Sequence, residues 1–316
     1  TPLFVYDRRL LRERVQALRA MLPEELGLNY ALKANPMPAL ASFMQAHVDG
    51  FDVASAGEMR VALDAGVPRD EVSFAGPGKT DAELRQAVAA GIIVELESAG
   101  ELERAADIGE RLGVRPNLAV RVNPDFGVKS SGMQMGGGPQ QFGVDAEAVP
   151  ALLSRLAERE ARFHGFHVFP GSQNLRAEVL AEACERIGTL VEDLSRSAPE
   201  PPPRINLGGG FGIPYFPNEK RLEVDTVARA LGKTCSQLRQ AFPDATLRVE
   251  LGRYLVGEAG VYLTRIVDRK TSRGKTYLVT DGGLHHQLAA SGNFGQRIRR
   301  NFPLAAASPP RGADET

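Results

Sequence analysis

Eight short apolar runs recur along the chain with a helical pattern between most of them, and this alternation constrains the fold more than any other feature. The runs are Leu28–Ala34, Gly50–Ser55, Glu71–Gly76, Gly91–Glu97, Pro116–Asn123, Phe163–Phe169, Arg204–Leu207 and Thr246–Leu251. Between them lie Pro38–His47, Ala56–Ala65, Asp81–Ala89, Ala99–Leu112, Ala146–Arg159, Ala177–Arg196 and Val224–Phe242, whose apolar residues recur at helical spacing. An amphipathic helix over Arg8–Met21, with Leu11, Val15 and Leu18 on one face, precedes the first run. Strands separated by helices must run parallel, and eight of them predict an α/β fold, a closed (β/α)8 TIM-like barrel over residues 8–254. An open doubly wound sheet carries the same alternation, but the first strand lacks the GxGxxG turn of a dinucleotide fold.

After Tyr254 the rhythm changes. Val261–Val267 and Lys275–Thr280 read as strands joined by the polar turn Arg269–Gly274, with no helix between them. With Thr1–Asp7 they predict a partial antiparallel β domain, residues 1–7 and 255–304. Residues 305–316, rich in Ala, Pro and small polar residues, are expected to be a disordered tail. Net charge is −1, which exerts no pull toward nucleic acid or an anionic membrane. No apolar run approaches the roughly 20 residues that span a bilayer. Cys184 and Cys235 have no metal-like spacing and read as free thiols in a reducing, cytoplasmic compartment.

Barrel active sites lie at the C-terminal ends of the strands, so the residues there carry the functional signal. Strand one ends in Lys33 and Asn35, strand two in Asp52, Ser55 and Glu58, and strand five in Arg121 and Asn123. Strand six ends in His167 and runs on to Ser172; strand seven enters Gly208-Gly209-Gly210-Phe211-Gly212; strand eight ends in Glu250 and Arg253. Each residue has a plain structural reading. Lys33 snorkels at a strand end, or it is an amine desolvated for Schiff-base chemistry. The glycines make a tight turn, or they converge backbone N–H groups on an anion. Arg253 is a surface arginine or a phosphate clamp. His167 is a core histidine or a stacking ring, and Glu250 pairs with an arginine or with a protonated ring nitrogen. An amine, a phosphate cradle, a stacking ring and a carboxylate together describe a pyridoxal 5'-phosphate site.

The motifs Tyr30-Ala31-Leu32-Lys33-Ala34-Asn35, Phe51-Asp52-Val53-Ala54-Ser55-Ala56-Gly57-Glu58 and Asn206-Leu207-Gly208-Gly209-Gly210-Phe211-Gly212 are joined by Glu250-Leu251-Gly252-Arg253-Tyr254 and Asp281-Gly282-Gly283. Over nearly its whole length the chain resembles the alanine-racemase-like, fold-type III pyridoxal phosphate enzymes, in their diaminopimelate, ornithine and arginine decarboxylase branch. The resemblance implies that Lys33 is the Schiff-base lysine and that His167 stacks on the cofactor ring. It implies that Ser172, Gly208, Gly209, Gly210 and Arg253 hold the phosphate and that Glu250 meets the pyridine nitrogen. Asp52 and Arg121 would support Lys33 and the ring. Racemases of this fold place an arginine where Glu250 stands, so decarboxylation is expected over racemisation.

The resemblance also has departures. The family's His-x-Gly-Ser is stretched to His167-Val168-Phe169-Pro170-Gly171-Ser172, and Ser131–Gly143 is longer than in diaminopimelate decarboxylase. Together with His285–Gly295 these features look like the subgroup of exosortase-associated decarboxylases and carrier-protein-glutamate decarboxylases. They imply an amino-acid substrate other than free diaminopimelate, including one tethered to a carrier protein. The family's Cys-x-x-x-Asp segment and later tyrosine, which come from the partner subunit of a homodimer, are not matched by Cys184 or Cys235. On that resemblance, and because the chain starts on Thr1, the sequence is expected to be truncated at both ends. A non-catalytic, cofactor-binding protein is the alternative if that segment is missing.

Overall fold

Leu28, Phe51, Phe74, Val94, Val120 and Leu247 are fully or almost fully buried, as expected of strands covered by helices on one side and packed on the other. The computed structural model describes residues 1–127, 133–134, 136–283, 285–286 and 304–307. Eight parallel strands form the core: β1 (Leu26–Ala31), β2 (Gly50–Val53), β3 (Val72–Phe74), β4 (Ile93–Leu96), β5 (Asn117–Asn123), β6 (Arg162–Val168), β7 (Arg204–Gly209) and β8 (Thr246–Leu251). Each pairs with the next, and β8 pairs with β1, Glu250 lying opposite Asn29, so the ring closes. Closure rules out the open doubly wound sheet. The expected first strand ends early: Leu32–Ala34 is a single 3-10 turn, so Lys33 stands just beyond the strand rather than on it.

Helix starts follow local sequence. Ser55 and Ser98 cap their helices by accepting from the N–H three residues on, and Thr80 and Glu83 form a reciprocal capping box. Such caps pin each helix directly after the strand end whose loop carries site residues.

The upper barrel interior is polar where many barrels of this class hold branched apolar side chains. Asn29, Asp52, Ser73, Glu95, His167, Asn206 and Glu250 are buried there and bond to or face one another. One backbone irregularity aims His167 inward. Regular alternation would put His164 and His167 on opposite faces of β6. The β5–β6 register instead slips between Leu118 and Ala119, which pair with Phe163 and Gly165 and leave His164 as the extra residue of a β-bulge at His164–Gly165, and both histidines line the same small internal cavity. Gly165 has φ +101°, and a Cβ there would lie 1.8 Å from the Arg204 carbonyl oxygen.

The barrel belongs to a compact unit of Asp7–Ile213 and Arg221–Ala259; a second unit comprises Thr1–Tyr6, Pro214–Lys220 and Gly260–Thr316. In the second, Leu3–Tyr6 pairs antiparallel with Gly260–Leu263, and Ile266–Ser272 pairs with Lys275–Thr280. The expected strand Val261–Val267 is therefore split between two pairings. The hairpin turn is also tighter than expected: Arg273 and Gly274 alone make it, at φ 50° and 77°, the positive-φ pair that a two-residue hairpin needs. Asp281 closes this unit by accepting from Thr1 Oγ1 at 2.5 Å and from Thr264 Oγ1 and Arg265 N at 2.8 Å, bonds that lower its pKa to about 2. Most of the expected tail, residues 308–316, lies outside the described residues. Among the described residues, no helix is long and apolar enough to cross a membrane.

Candidate active site

The carboxyl ends of β2, β4, β6 and β8 bring four ionisable side chains into one buried network. His167 Nδ1 lies 2.5 Å from Glu95 Oε2, and its Nε2 lies 3.5 Å from Glu250 Oε2. Asn206 donates to Glu250 at 3.1 Å. Asp52 accepts from Ser73 Oγ and, at 3.3 Å, from Asn29 Nδ2. Burial opposes charge on all of these groups, so their neighbours decide which ionise. Burial lowers the His167 pKa, but Glu95 and Glu250 outweigh it and raise it to about 10. Burial raises Glu250, yet His167, Lys33 and Arg121 hold it down at about 2. At Asp52 burial, reinforced by Glu250 and Glu95, outweighs the lowering by the Ser73 hydrogen bond and the charge of His167 and drives the pKa up to about 8, so it holds a proton at neutral pH.

Arg121 is buried and donates to Glu97 at 2.8 Å, with its guanidinium 5.0 Å from the Phe142 ring centroid. Glu97 also accepts from Gly76 N at 2.5 Å and Gly143 N at 2.6 Å, and its pKa is lowered; burial opposes this but Arg121 and the Gly143 amide prevail. Lys33 is exposed, not desolvated as one reading of its strand required. Its Nζ lies 5.8 Å from the Phe169 ring centroid, and the Phe169 ring is 6.2 Å from that of His167. Arg253 is likewise exposed and begins the short helix Arg253–Val256 after β8.

The glycine run has a packing role of its own. A Cβ at Gly208 would lie 2.4 Å from Val168 O, at Gly209 2.0 Å from Glu250 O, and at Gly210 2.4 Å from Gly171 O. Gly208 and Gly210 also have positive φ. The Gly208 amide donates to Asn206 Oδ1 at 2.9 Å, so that N–H is directed at a side chain of this chain. The loops after β6 and β7 are laced together: Asn174 N donates to Gly210 O, and Gly212 N to Asn174 O, both at 2.9 Å. That lacing holds the stretched His167–Ser172 segment against the glycines, and Gly171–Ser172 pairs with Met133–Gln134 as a two-residue ladder.

Sequence reasoning passed over Glu95, Glu97, Asn206, Asn29 and Ser73. Glu95 carried the same signal as Glu250, a carboxylate at an inward position of an apolar strand.

Residues 8–257 match the family described as pyridoxal-dependent decarboxylase, pyridoxal binding domain. The chain belongs to this family. The pyridoxal-dependent decarboxylases similar to it include the L-glutamyl-[BtrI acyl-carrier protein] decarboxylase of Niallia circulans, 35% identical over 307 residues, 96% of this chain and 72% of that protein. The diaminopimelate decarboxylase of Aquifex aeolicus is 32% identical over 300 residues, 92% of this chain and 68% of that one. Among solved structures, AQ1208 of Aquifex aeolicus superposes with a TM-score of 0.80 at 30% identity, covering 92% of this chain and 67% of that chain.

The residues of this decarboxylase suit pyridoxal phosphate. Asp52 Oδ2 is buried without a hydrogen-bond partner among the described residues, His167 Nε2 has only the long 3.5 Å approach to Glu250, and Glu250 is an anionic carboxylate in a low-dielectric interior. The missing side chains at Gly208–Gly210 let the loops around Ser172 close up beside them. Parts of the two segments that point to the carrier-protein subgroup, Ser131–Gly143 and His285–Gly295, lie outside the described residues.

Proposed function

We propose that this pyridoxal-dependent decarboxylase acts on an amino acid through a site built from Lys33, His167 and Glu250, and that its substrate class includes amino acids tethered to a carrier protein. The observation that carries the chemistry is Glu250, a buried carboxylate held ionised at about pKa 2 beneath the mouth. Pyridoxal phosphate, when bound, supplies an electron sink for the pair left behind as carbon dioxide departs. Lys33 contributes the amine that carries the cofactor. Glu250 would accept from the cofactor's protonated ring nitrogen and so favour the full sink that decarboxylation needs. His167 would back the ring, with Asp52 and Arg121 supporting that face. Ser172, Gly209, Gly210 and Arg253 would hold the phosphate, with Gly208 shaping the turn. The carrier-tethered substrate rests on the likeness to the Niallia circulans enzyme. A homodimer in a reducing, cytoplasmic setting belongs to the same proposal; sedimentation tests the first part.

The test is carbon dioxide release from a panel of amino acids, free and carrier-linked, with Lys33→Ala as control. Release from at least one member, lost in Lys33→Ala together with the visible lysine-dependent absorbance, is the expected result. A cofactor-loaded chain that racemises a panel member without releasing carbon dioxide would overturn the reading.

A further inference from the structure

Glu95 has no part in the site proposed above, yet it makes the shortest contact to His167. We propose that Glu95 is a positioning residue: it fixes His167 as an imidazolium held edge-on between two carboxylates. The inference rests on the reading of His167 as a cofactor-facing ring, and its test is separate from that reading.

The geometry argues for the charged ring. Glu95 Oε2 is 2.5 Å from Nδ1 and Glu250 Oε2 is 3.5 Å from Nε2. All three side chains are 3% exposed or less. A neutral imidazole carries one N–H and one lone pair. Whichever tautomer formed, a lone pair would face a carboxylate oxygen inside the protein. With a carboxylate on each side, only the doubly protonated ring offers a donor to both. The Glu250 carboxylate and the Glu95 backbone are each held by a neighbour. Glu250 accepts from Asn206 at 3.1 Å. The backbone of Glu95 is held by Lys79, whose Nζ donates to the Glu95 carbonyl at 2.7 Å and pairs with Glu101.

The other groups facing His167 do not replace Glu95. Asp52, from β2, retains its proton at neutral pH, with a pKa of about 8. Arg121, in register beside His167 on β5, is paired with Glu97. Asn206, in register on β7, is neutral. Lys33 acts on Glu250 from beyond it. Removing the Glu95 charge therefore removes one of the two anions that hold the ring protonated and the only hydrogen bond at Nδ1 among the described residues.

The experiment is a 15N titration of the full chain, labelled at histidine and loaded with pyridoxal phosphate. His167 is assigned among the five histidines by His167→Gln. In the wild type both ring nitrogens of His167 should keep imidazolium shifts through pH 8. In Glu95→Gln the midpoint should fall by about 1–3 pH units, and Glu95→Asp should recover part of it. Neutral-imidazole shifts at pH 7 in the wild type would overturn the proposal, whether or not the variants fold. So would an unchanged midpoint in Glu95→Gln. Loss of the Lys33-dependent absorbance would count against the cofactor site and leave the His167 titration to be read on its own.

Discussion

Lys79 is the most completely enclosed cation described in the barrel, and removing it should be costly out of proportion to one side chain. Its Nζ donates to Gly76 O at 2.8 Å, to Glu95 O at 2.7 Å and to both Glu101 oxygens at 3.1 and 3.2 Å. The side chains of the pair are 1% and 2% exposed. Lys79→Met would leave Glu101 buried with the Glu97 amide, 2.8 Å away, as its main donor and would take one donor from each of two carbonyls. Breaking a buried pair by removing one partner costs about 3–5 kcal/mol. Against a typical total of about 5–15 kcal/mol, that is a large share. The double variant Lys79→Met, Glu101→Leu removes the stranded charge, keeps comparable volume and forfeits only the bonds to backbone groups. It should be more stable than Lys79→Met by at least about 1 kcal/mol, a negative coupling between neighbours in one network. The chain has no tryptophan, so urea unfolding is followed by far-UV circular dichroism, with midpoints compared at constant slope. If Lys79→Met lay within about 0.5 kcal/mol of the wild type, or if the two changes simply added, the buried pair would not be what fixes the β4 end.

Gly165→Ala should destabilise by more than about 1–3 kcal/mol, because its Cβ meets a backbone carbonyl at 1.8 Å and its φ is +101°; a wild-type urea midpoint would refute the bulge. Stability should fall as pH rises from 6 to 10. His167, raised from 6.5 to about 10, contributes stability fully present below 6.5 and lost as pH climbs through 10, and Asp52, raised from 3.8 to about 8, binds extra protons in the folded state and acts in the same sense. Glu250 works oppositely and only in acid: its contribution is present above 4.5 and lost as pH falls through 2. A urea midpoint rising between pH 7 and 9 would contradict these assignments. Burial pushes the Cys184 and Cys235 thiols up to about 12, so a thiol reagent should label them only at the rate of unfolding; prompt labelling of the folded chain would show that they are accessible.

The barrel was legible because its strands are short, apolar and separated by capped amphipathic helices, so order and spacing alone reveal the parallel ring. Ends were less legible. The Lys33 strand was read through Ala34, because Tyr30, Ala31 and Leu32 suit a strand and only the closed ring shows where pairing stops. Val261–Val267 reads as one strand because Val261–Leu263 and Ile266–Val267 are strand-like and only Thr264 and Arg265 separate them. It breaks at those two polar residues because one half pairs with a segment near the N-terminus and the other with its own hairpin, and a partner so distant cannot be read from the local pattern. Glu95 was overlooked although it obeys the rule that singled out Glu250. The bulge at Gly165, which turns His167 toward it, cannot be read from alternation.

The glycine run marks a deeper limit, because the residue that lets a phosphate approach a backbone is also the one that lets two strands approach each other. At Gly208–Gly210 the second demand is met in full by close contacts with Val168, Glu250 and Gly171. A glycine-to-alanine series would therefore report packing and leave the phosphate untested. Arg253 separates the two. It is exposed at the end of β8, so Arg253→Met should leave the chain folded, with any change in its urea midpoint measured alongside. A charge-assisted contact to phosphate is worth roughly 1.5–3 kcal/mol, so cofactor affinity measured by equilibrium dialysis should weaken by about tenfold or more. Unchanged affinity in a normally folded Arg253→Met protein would remove Arg253 from the phosphate site. It would leave the backbone amides after β7 and the Ser172 hydroxyl to hold the anion without a cation.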